Sequence, residues 1–189
     1  MFHTTYKYQE CYKLLQINIC DKYQIFVYYN MTNDKKTIIF DLDGTLALID
    51  DRRKLSTKPN GKLDWDIFFD PKNISLDKPN TPVITTAQLL HSQGFRIVIF
   101  SGRSKATYRT TRQWLIQNDV PFDMLQMRPN DRDTGGHFHF MKDSDLKQMW
   151  LDTLIDKDDV FAVFDDRNQV VDMWRSNGLT TFQVAEGDF

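Results

Sequence analysis

Residues 38–47 read IIFDLDGTLA. Three apolar side chains run straight into Asp41, and a second acid, Asp43, follows one residue later ahead of Gly44-Thr45. A segment that is apolar at every position, not at alternate ones, predicts a strand buried on both faces. Such strands belong to parallel sheets with helices packed on either side. Side chains two apart on a strand share a side, so Asp41 and Asp43 can face one region even as the chain begins to turn. Two carboxylates at the end of a buried strand repel and raise each other's pKa, so the pair needs a positive partner.

The pattern recurs outward from this stretch. Strand-length apolar runs fall at 37–41, 95–100, 123–127, 160–164 and 180–184. Helical segments alternate with them. Residues 80–93 open with Asn-Thr-Pro and stop before Gly94. Residues 104–118 open with a serine able to cap, and 143–155 open Asp-Ser-Asp, with acids at the positive end of the helix. Residues 167–177 stop before Gly178. Strands alternating with helices predict an α/β fold: a three-layer, Rossmann-like sandwich around a mostly parallel sheet. In such sheets ligands sit beyond the carboxyl ends of the strands.

That rule selects the polar residues that matter. Strand one is followed by Asp41 and Asp43, strand two by Ser101-Gly102-Arg103, strand three by Arg128, and strand four by Asp165-Asp166-Arg167. Polar residues at strand ends often do no more than meet water. Acids closing two strands with cations nearby are poorly explained that way. A divalent cation would relieve the repulsion, and hard oxygen donors suit Mg²⁺. The chemistry such a group supports is phosphoryl transfer. One carboxylate attacks phosphorus, a second moves the proton, and cations hold the transferring group.

These motifs resemble those of the haloacid dehalogenase superfamily: FDLDGT at 40–45, Ser101 at a strand end, a helix-borne lysine, and the acidic pair Asp165-Asp166. Asp43 points to phosphate chemistry, because the family's dehalogenases lack that second acid. A phosphatase domain is expected over 35–189, and residues 36–189 are more specifically similar to the 3′-phosphatase domains of phage polynucleotide kinase-phosphatases and to related phage and bacterial stand-alone phosphatases. The matching stretches are IVIFSGR, YRTTRQWL, MRPNDRDT, KDSDLK, FAVFDDRNQVVDMWRSNGL and the terminal FQVAEGDF. The resemblance implies Asp41 as nucleophile and Asp43 as general acid/base. Asp41, Asp43, Asp165 and Asp166 are then the Mg²⁺ site, and Ser101 and Lys147 the phosphate ligands. Asp143 lies four residues before Lys147 and would orient it; Lys142 has no such partner. Gly102, Arg103 and Arg128 match residues on the substrate side. Arg167 either pairs with the acids or faces substrate.

The expected activity is therefore removal of 3′-phosphate from nucleic-acid ends. The alternatives are a nucleotidase or small-molecule phosphatase of the same fold, and a non-catalytic binding module. The interval between the first two motifs leaves room for only a small cap insertion, and an open site suits a polymer end. No P-loop motif occurs, so no kinase activity is expected. Within the interval, LDWDIFF at 63–69 reads either as an amphipathic element at the site entrance or as a core anchor through Trp65 and Phe68. Lys105, Arg109 and Arg112 form a basic stripe, either a solvated helix face or a path for a nucleic-acid backbone. Trp114, Trp150 and Trp174 sit among aliphatics and read as core.

The bulk numbers narrow the classes. With 189 residues and a net charge of −2, no global positive field draws the protein to nucleic acid, so any polyanion site is local. Two cysteines, Cys11 and Cys20, make no disulfide framework, and no apolar run approaches the ~18 residues of a membrane span. No signal-peptide pattern opens the chain. An intracellular, cytoplasmic location is expected (the host's, if the chain is viral). Residues 1–34 read as an N-terminal extension: either an add-on preceding the true start near Met31, or an extra helix and strand on the sheet edge. His137 and His139 in 134–141 make a poor metal pair beside an oxygen-rich site, and a loop at the substrate mouth is expected there.

Overall fold

The structure is a computed structural model and describes residues 36–130, 138 and 140–187. The readings placed on 1–34, on His137 and His139, and on the final two residues fall outside the described residues.

Five parallel strands form the central sheet: β1 (Thr37–Phe40), β4 (Arg96–Ser104), β5 (Met124–Arg128), β6 (Val160–Asp165) and β7 (Thr181–Gln183), in the order β5-β4-β1-β6-β7. The chain runs outward from β1 to one edge, then returns to fill the other side. The point where the order reverses, and where a crevice opens in such folds, is the carboxyl end of β1. Asp41 stands there, its backbone N–H donating to Phe164 O at 2.9 Å.

The unbroken hydrophobicity of the strands has its reason in two cores. On one face, Ile38, Phe40, Ile97 and Ile99 pack against α3 (Thr81–Ser92) and α4 (Tyr108–Gln117), including Ile84, Ala87, Trp114 and Leu115. On the other, Ile39, Val98 and Phe100 meet α5 (Asp143–Leu154) and α6 (Asn168–Ser176) through Leu146, Trp150, Leu151, Val170 and Trp174. Successive strand residues point to opposite faces, so each face needs its own apolar set. Trp114, Trp150 and Trp174 are core residues.

Expected and observed helices agree within a few residues. The chief difference is at 104–118. Ser104 Oγ accepts from Ala106 N and caps a 3₁₀ turn (Lys105–Thr107), and α4 begins only at Tyr108. β4 also runs past Phe100 to Ser104, because an irregularity between Ser101 and Ser104 keeps it paired with β5 as far as Arg128.

Between β1 and α3 lies the small insertion. It contains β2 (Ala47–Leu48), α1 (Asp50–Ser56), α2 (Trp65–Phe68), a 3₁₀ turn (Asn73–Leu76) and β3 (Lys78–Pro79), with β2 and β3 paired antiparallel. Phe68 is buried and Trp65 is 56% exposed. The two readings of LDWDIFF are thus divided between residues: Phe68 anchors and Trp65 stands at the entrance. Lys105, Arg109 and Arg112 are all exposed.

Candidate active site

The strand ends converge on a cavity of about 880 Å³ whose walls include Asp41, Asp43, Gly102, Arg128, Asp143, Lys147, Asp165, Asp166 and Arg167. Nine of the eleven residues singled out from sequence therefore share one site. Ser101 and Arg103, both fully buried, are not on its wall.

The turn that delivers the two acids is tight. Gly44 N donates to Ala47 O at 2.8 Å, and Ala47 N to Leu42 O at 2.8 Å. Gly44 has φ +92°, and a Cβ there would stand 2.0 Å from Asp166 Oδ2. Glycine is thus required twice, by backbone conformation and by the approach of the acidic pair. The C-terminal stretch does similar work behind that pair. A Cβ at Gly187 would meet Asp166 O at 2.1 Å, Gly187 O accepts from Asn168 N at 3.0 Å, and Gln183 Nε2 donates to Asp166 O at 2.9 Å. Gly187 therefore lets its own segment lie against the backbone of Asp166 and Arg167.

Lys147 enters from the first turns of α5. Its Nζ lies 2.5 Å from Asp41 Oδ1, 3.0 Å from Asp165 Oδ2 and 3.3 Å from Asp143 Oδ2. Burial alone would favour the neutral amine. The carboxylates of Asp143, Asp165 and Asp41 outweigh it and push Lys147 well above the usual lysine value, so it is an ammonium. Burial pushes Asp41 well above the ordinary carboxylate range; Lys147 opposes this, and Asp165, Asp166 and Asp143 add to it. Asp165 is held by Trp174 Nε1 at 3.1 Å and by the backbone N–H of Arg167 at 3.2 Å. Burial, with Asp165 beside it, raises Asp166 to about 6.

Carboxylate oxygens of Asp41, Asp165 and Asp166 lie within 4.8 Å of one another, and all three residues are buried. An oxygen-only donor set of three crowded carboxyl groups beside one ammonium fits a hard divalent cation such as Mg²⁺, which favours their ionised forms. Haloacid dehalogenase phosphatases generally use that ion.

Asp43 belongs to a different electrostatic unit. Arg103 Nε (2.9 Å) and Arg52 NH2 (2.6 Å) both donate to its Oδ1, as does Arg103 NH2. Burial would raise its pKa, but Arg103 and Arg52 override it and draw the carboxyl down to about 2. The same two guanidiniums bind Asp77, through Arg52 Nε at 2.8 Å and Arg103 NH2 at 2.6 Å. Two arginines and two aspartates form a closed, neutral quartet, which is how four ionised groups tolerate burial. Among the described residues, no donor reaches Asp43 Oδ2.

Arg103, expected on the substrate side, is therefore spent within the protein. Arg128 does reach the cavity wall, yet its guanidinium also donates to Gly102 O (3.1 Å), Phe138 O (2.6 Å) and Met141 O (2.9 Å), tying β4 to the segment before α5. Ser101 Oγ accepts from Arg103 N at 3.2 Å. Arg52 and Asp77 were missed from sequence. Arg52 sits in the charge run DDRRK, which reads as a solvated face. The one signal was its spacing: Ile49, Arg52 and Ser56, three and seven apart on one helical side, are all buried.

A buried acid cluster and an ammonium at the switch point of such a sheet define a phosphate-ester hydrolase of the haloacid dehalogenase type. The family model of the polynucleotide kinase PNKP phosphatase domain matches residues 35–189, and the chain belongs to that family of hydrolases acting on phosphoric monoesters. It is 35% identical over 166 residues to a protein of Autographa californica nuclear polyhedrosis virus that carries the name of a bifunctional polynucleotide kinase/RNA ligase. That match covers 85% of this chain and 21% of the viral protein. A chain in the solved Pnkp1/Rnl/Hen1 complex superposes with TM-score 0.67 at 32% identity, over 84% of this chain and 48% of that one. A Clostridium difficile protein named as a phosphatase shares the fold at 15% identity, with TM-score 0.57 over 80% of this chain and 86% of its own. This chain thus spans about a fifth of the viral protein and just under half of the Pnkp1-complex chain.

Proposed function

We propose that the chain is a Mg²⁺-dependent phosphomonoesterase that removes 3′-phosphate from nucleic-acid ends through an aspartyl-phosphate. The observation carrying this is Asp41: it is on the cavity wall at the switch point, with the Lys147 ammonium 2.5 Å from its Oδ1. Family membership and the RNA-repair setting of a related solved complex support the choice of nucleic-acid ends.

In this reading the Asp41 carboxylate forms a bond to phosphorus as the bond from phosphorus to the ester oxygen breaks. The departing oxygen takes a proton from Asp43. Water then attacks the aspartyl-phosphate, loses its proton to Asp43, and leaves as part of inorganic phosphate with Asp41 restored. Lys147 neutralises the charge gathering around phosphorus and, held by Asp143, keeps its position between Asp41 and Asp165. Asp43 rests as a carboxylate because of its two arginines. The negative charge of an arriving phosphate opposes them and raises its proton affinity, and Oδ2 is the oxygen left to carry the proton. Asp41, Asp165, Asp166 and the Asp43 backbone carbonyl would hold the Mg²⁺. When bound, the ion supplies charge neutralisation at the phosphoryl oxygens.

The test compares phosphate release from DNA and RNA oligonucleotides bearing a 3′-phosphate, the same oligonucleotides bearing a 5′-phosphate, and nucleoside monophosphates, each with and without Mg²⁺. Release from the 3′-phosphorylated oligonucleotides alone, dependent on the ion, is expected. Rapid hydrolysis of mononucleotides with no oligonucleotide turnover would assign a nucleotidase instead. Asp41→Asn is expected to abolish turnover while circular dichroism stays unchanged; retained activity would overturn the mechanism.

A further inference from the structure

The insertion carries a large aromatic surface that the chemistry just described does not use. Trp65, the first residue of α2, is 56% exposed although it lines the same cavity as Asp41 and Asp43. Its ring is stacked on Phe69, with centroids 5.7 Å apart and planes 16° from parallel, and lies edge-on to Phe68 at 5.7 Å and 85°. Phe68 is in turn fixed from below. The Arg52 guanidinium sits 4.3 Å over its ring, and Arg52 NH1 donates to Phe68 O at 3.2 Å. Asp64 caps α2 by accepting from Ile67 N. The indole is therefore an exposed aromatic plane on a rigid mount, tied through Arg52 to the quartet that holds Asp43.

Beyond Trp65 the cavity runs into a second depression of about 650 Å³, and the two share Arg53, Leu63, Trp65 and Arg167. The walls of the second are Arg53, Thr57, Gly61, Lys62, Leu63, Trp65 and Arg167. Among the described residues of this wall three are cations, Arg53, Lys62 and Arg167, and none is an acid. In a protein of net charge −2, such a grouping of described cations is a local feature, and Trp65 lines both depressions.

We propose that Trp65 stacks on an unpaired base at the 3′ end of a single-stranded nucleic acid, and that Arg53, Lys62 and Arg167 take the phosphodiesters upstream of it. This rests on the nucleic-acid-end reading above and supplies its specificity element. An aromatic platform followed by a basic cleft is the combination that binds a single strand without regard to sequence, since every base offers a face and every linkage a charge. The terminal phosphate would lie at Asp41 and the strand would leave past α2. A small phosphate ester uses the first part of this path only.

The experiment measures kcat/KM of the Mg²⁺-loaded protein on a single-stranded oligonucleotide with a 3′-phosphate and on glycerol 2-phosphate, which has no ring. Trp65→Ala is expected to lower the oligonucleotide-to-glycerophosphate ratio by between about fivefold and about 150-fold, the range that corresponds to one lost base stack. Trp65→Phe should restore most of it. Lys62→Ala should flatten the salt dependence of the oligonucleotide reaction, reducing its log–log slope by roughly 0.7. In parallel, the oligonucleotide is titrated into Asp41→Asn protein while tryptophan emission is followed. Quenching that disappears in the Asp41→Asn/Trp65→Phe double variant is expected, because Trp114, Trp150 and Trp174 are buried. If the parent enzyme turns over the oligonucleotide and Trp65→Ala leaves the ratio unchanged, the platform is wrong and the 3′-phosphatase reading stands. If the oligonucleotide binds with Trp65 quenching but is never dephosphorylated, the platform stands and the phosphatase reading falls.

Discussion

At the scale of single residues, the site keeps two kinds of carboxylate apart. Asp43 lies between two guanidiniums and is held near 2, whereas Asp166, buried beside Asp165, is raised to about 6. The sign of the second shift sets a pH dependence. An acid whose folded pKa lies above its ordinary 3.8 favours the fold while protonated, and that advantage is lost as pH rises through about 6. Burial pushes Asp41 in the same direction. Without divalent cations, the melting temperature is therefore expected to fall across that window. Mg²⁺ should restore it at the upper end and do little at the lower, since it binds the ionised acids. Thermal melts with and without Mg²⁺ check this, and Asp166→Asn should reduce both the pH slope and the response to the ion, leaving the share that belongs to Asp41.

Whole elements act as holders of these groups. α1 buries Arg52 so that one guanidinium reaches Asp43, Asp77 and the carbonyl of Phe68. Arg52→Ala would leave two buried carboxylates with half their compensation. A loss of about 3–5 kcal/mol is expected, read by urea denaturation, together with a fall in kcat. Arg52→Lys should rescue little, because a point charge cannot span three acceptors in a plane. α6 plays the matching part for the metal-side acids. Trp174, wholly buried, packs on the second core and donates to Asp165 Oδ2. Trp174→Phe keeps most of the packing and loses the donor. It is expected to weaken Mg²⁺ by about 10- to 100-fold, measured as the ion concentration giving half-maximal phosphatase activity.

For the molecule as a whole, the sheet order decides where chemistry occurs and the small insertion decides what can approach. β1 lies between β4 and β6, so Asp41, Gly102 and Asp165, at the ends of three adjacent strands, all reach the crevice above it. The insertion narrows that crevice on the side of α2 without closing it. Net charge is only −2, so salt effects on catalysis should be local. Raising salt from low to moderate concentration is expected to leave hydrolysis of a small ester nearly unchanged and to depress oligonucleotide turnover severalfold, as phosphate contacts outside the catalytic centre predict. Parallel salt titrations on the two substrates check this.

Much of the fold was legible in the chain because buried parallel strands are apolar at every position, and that pattern is local. The same holds for Asp41, Asp43, Asp165 and Asp166, which follow strands and which the strand-end rule finds without distances; Lys147, inside a helix, was reached only through the family resemblance and the Asp143 four residues before it. The partners of Asp43 could not be read this way. Arg52 and Asp77 are 25 apart in sequence, stand in polar surroundings, and meet only when the insertion folds over the sheet. Arg103 looked like a substrate ligand because its place after a strand says nothing of where a long side chain ends; two buried carboxylates claim it. Trp65 and Phe68 shared one amphipathic reading until packing sent one inward and left the other at the mouth. Periodicity and strand-end chemistry, both properties of neighbouring residues, determined the class of the protein. Charge pairing across long loops, a property of the folded chain alone, decided which cations line the cavity and which are taken up by the buried carboxylates of Asp43 and Asp77.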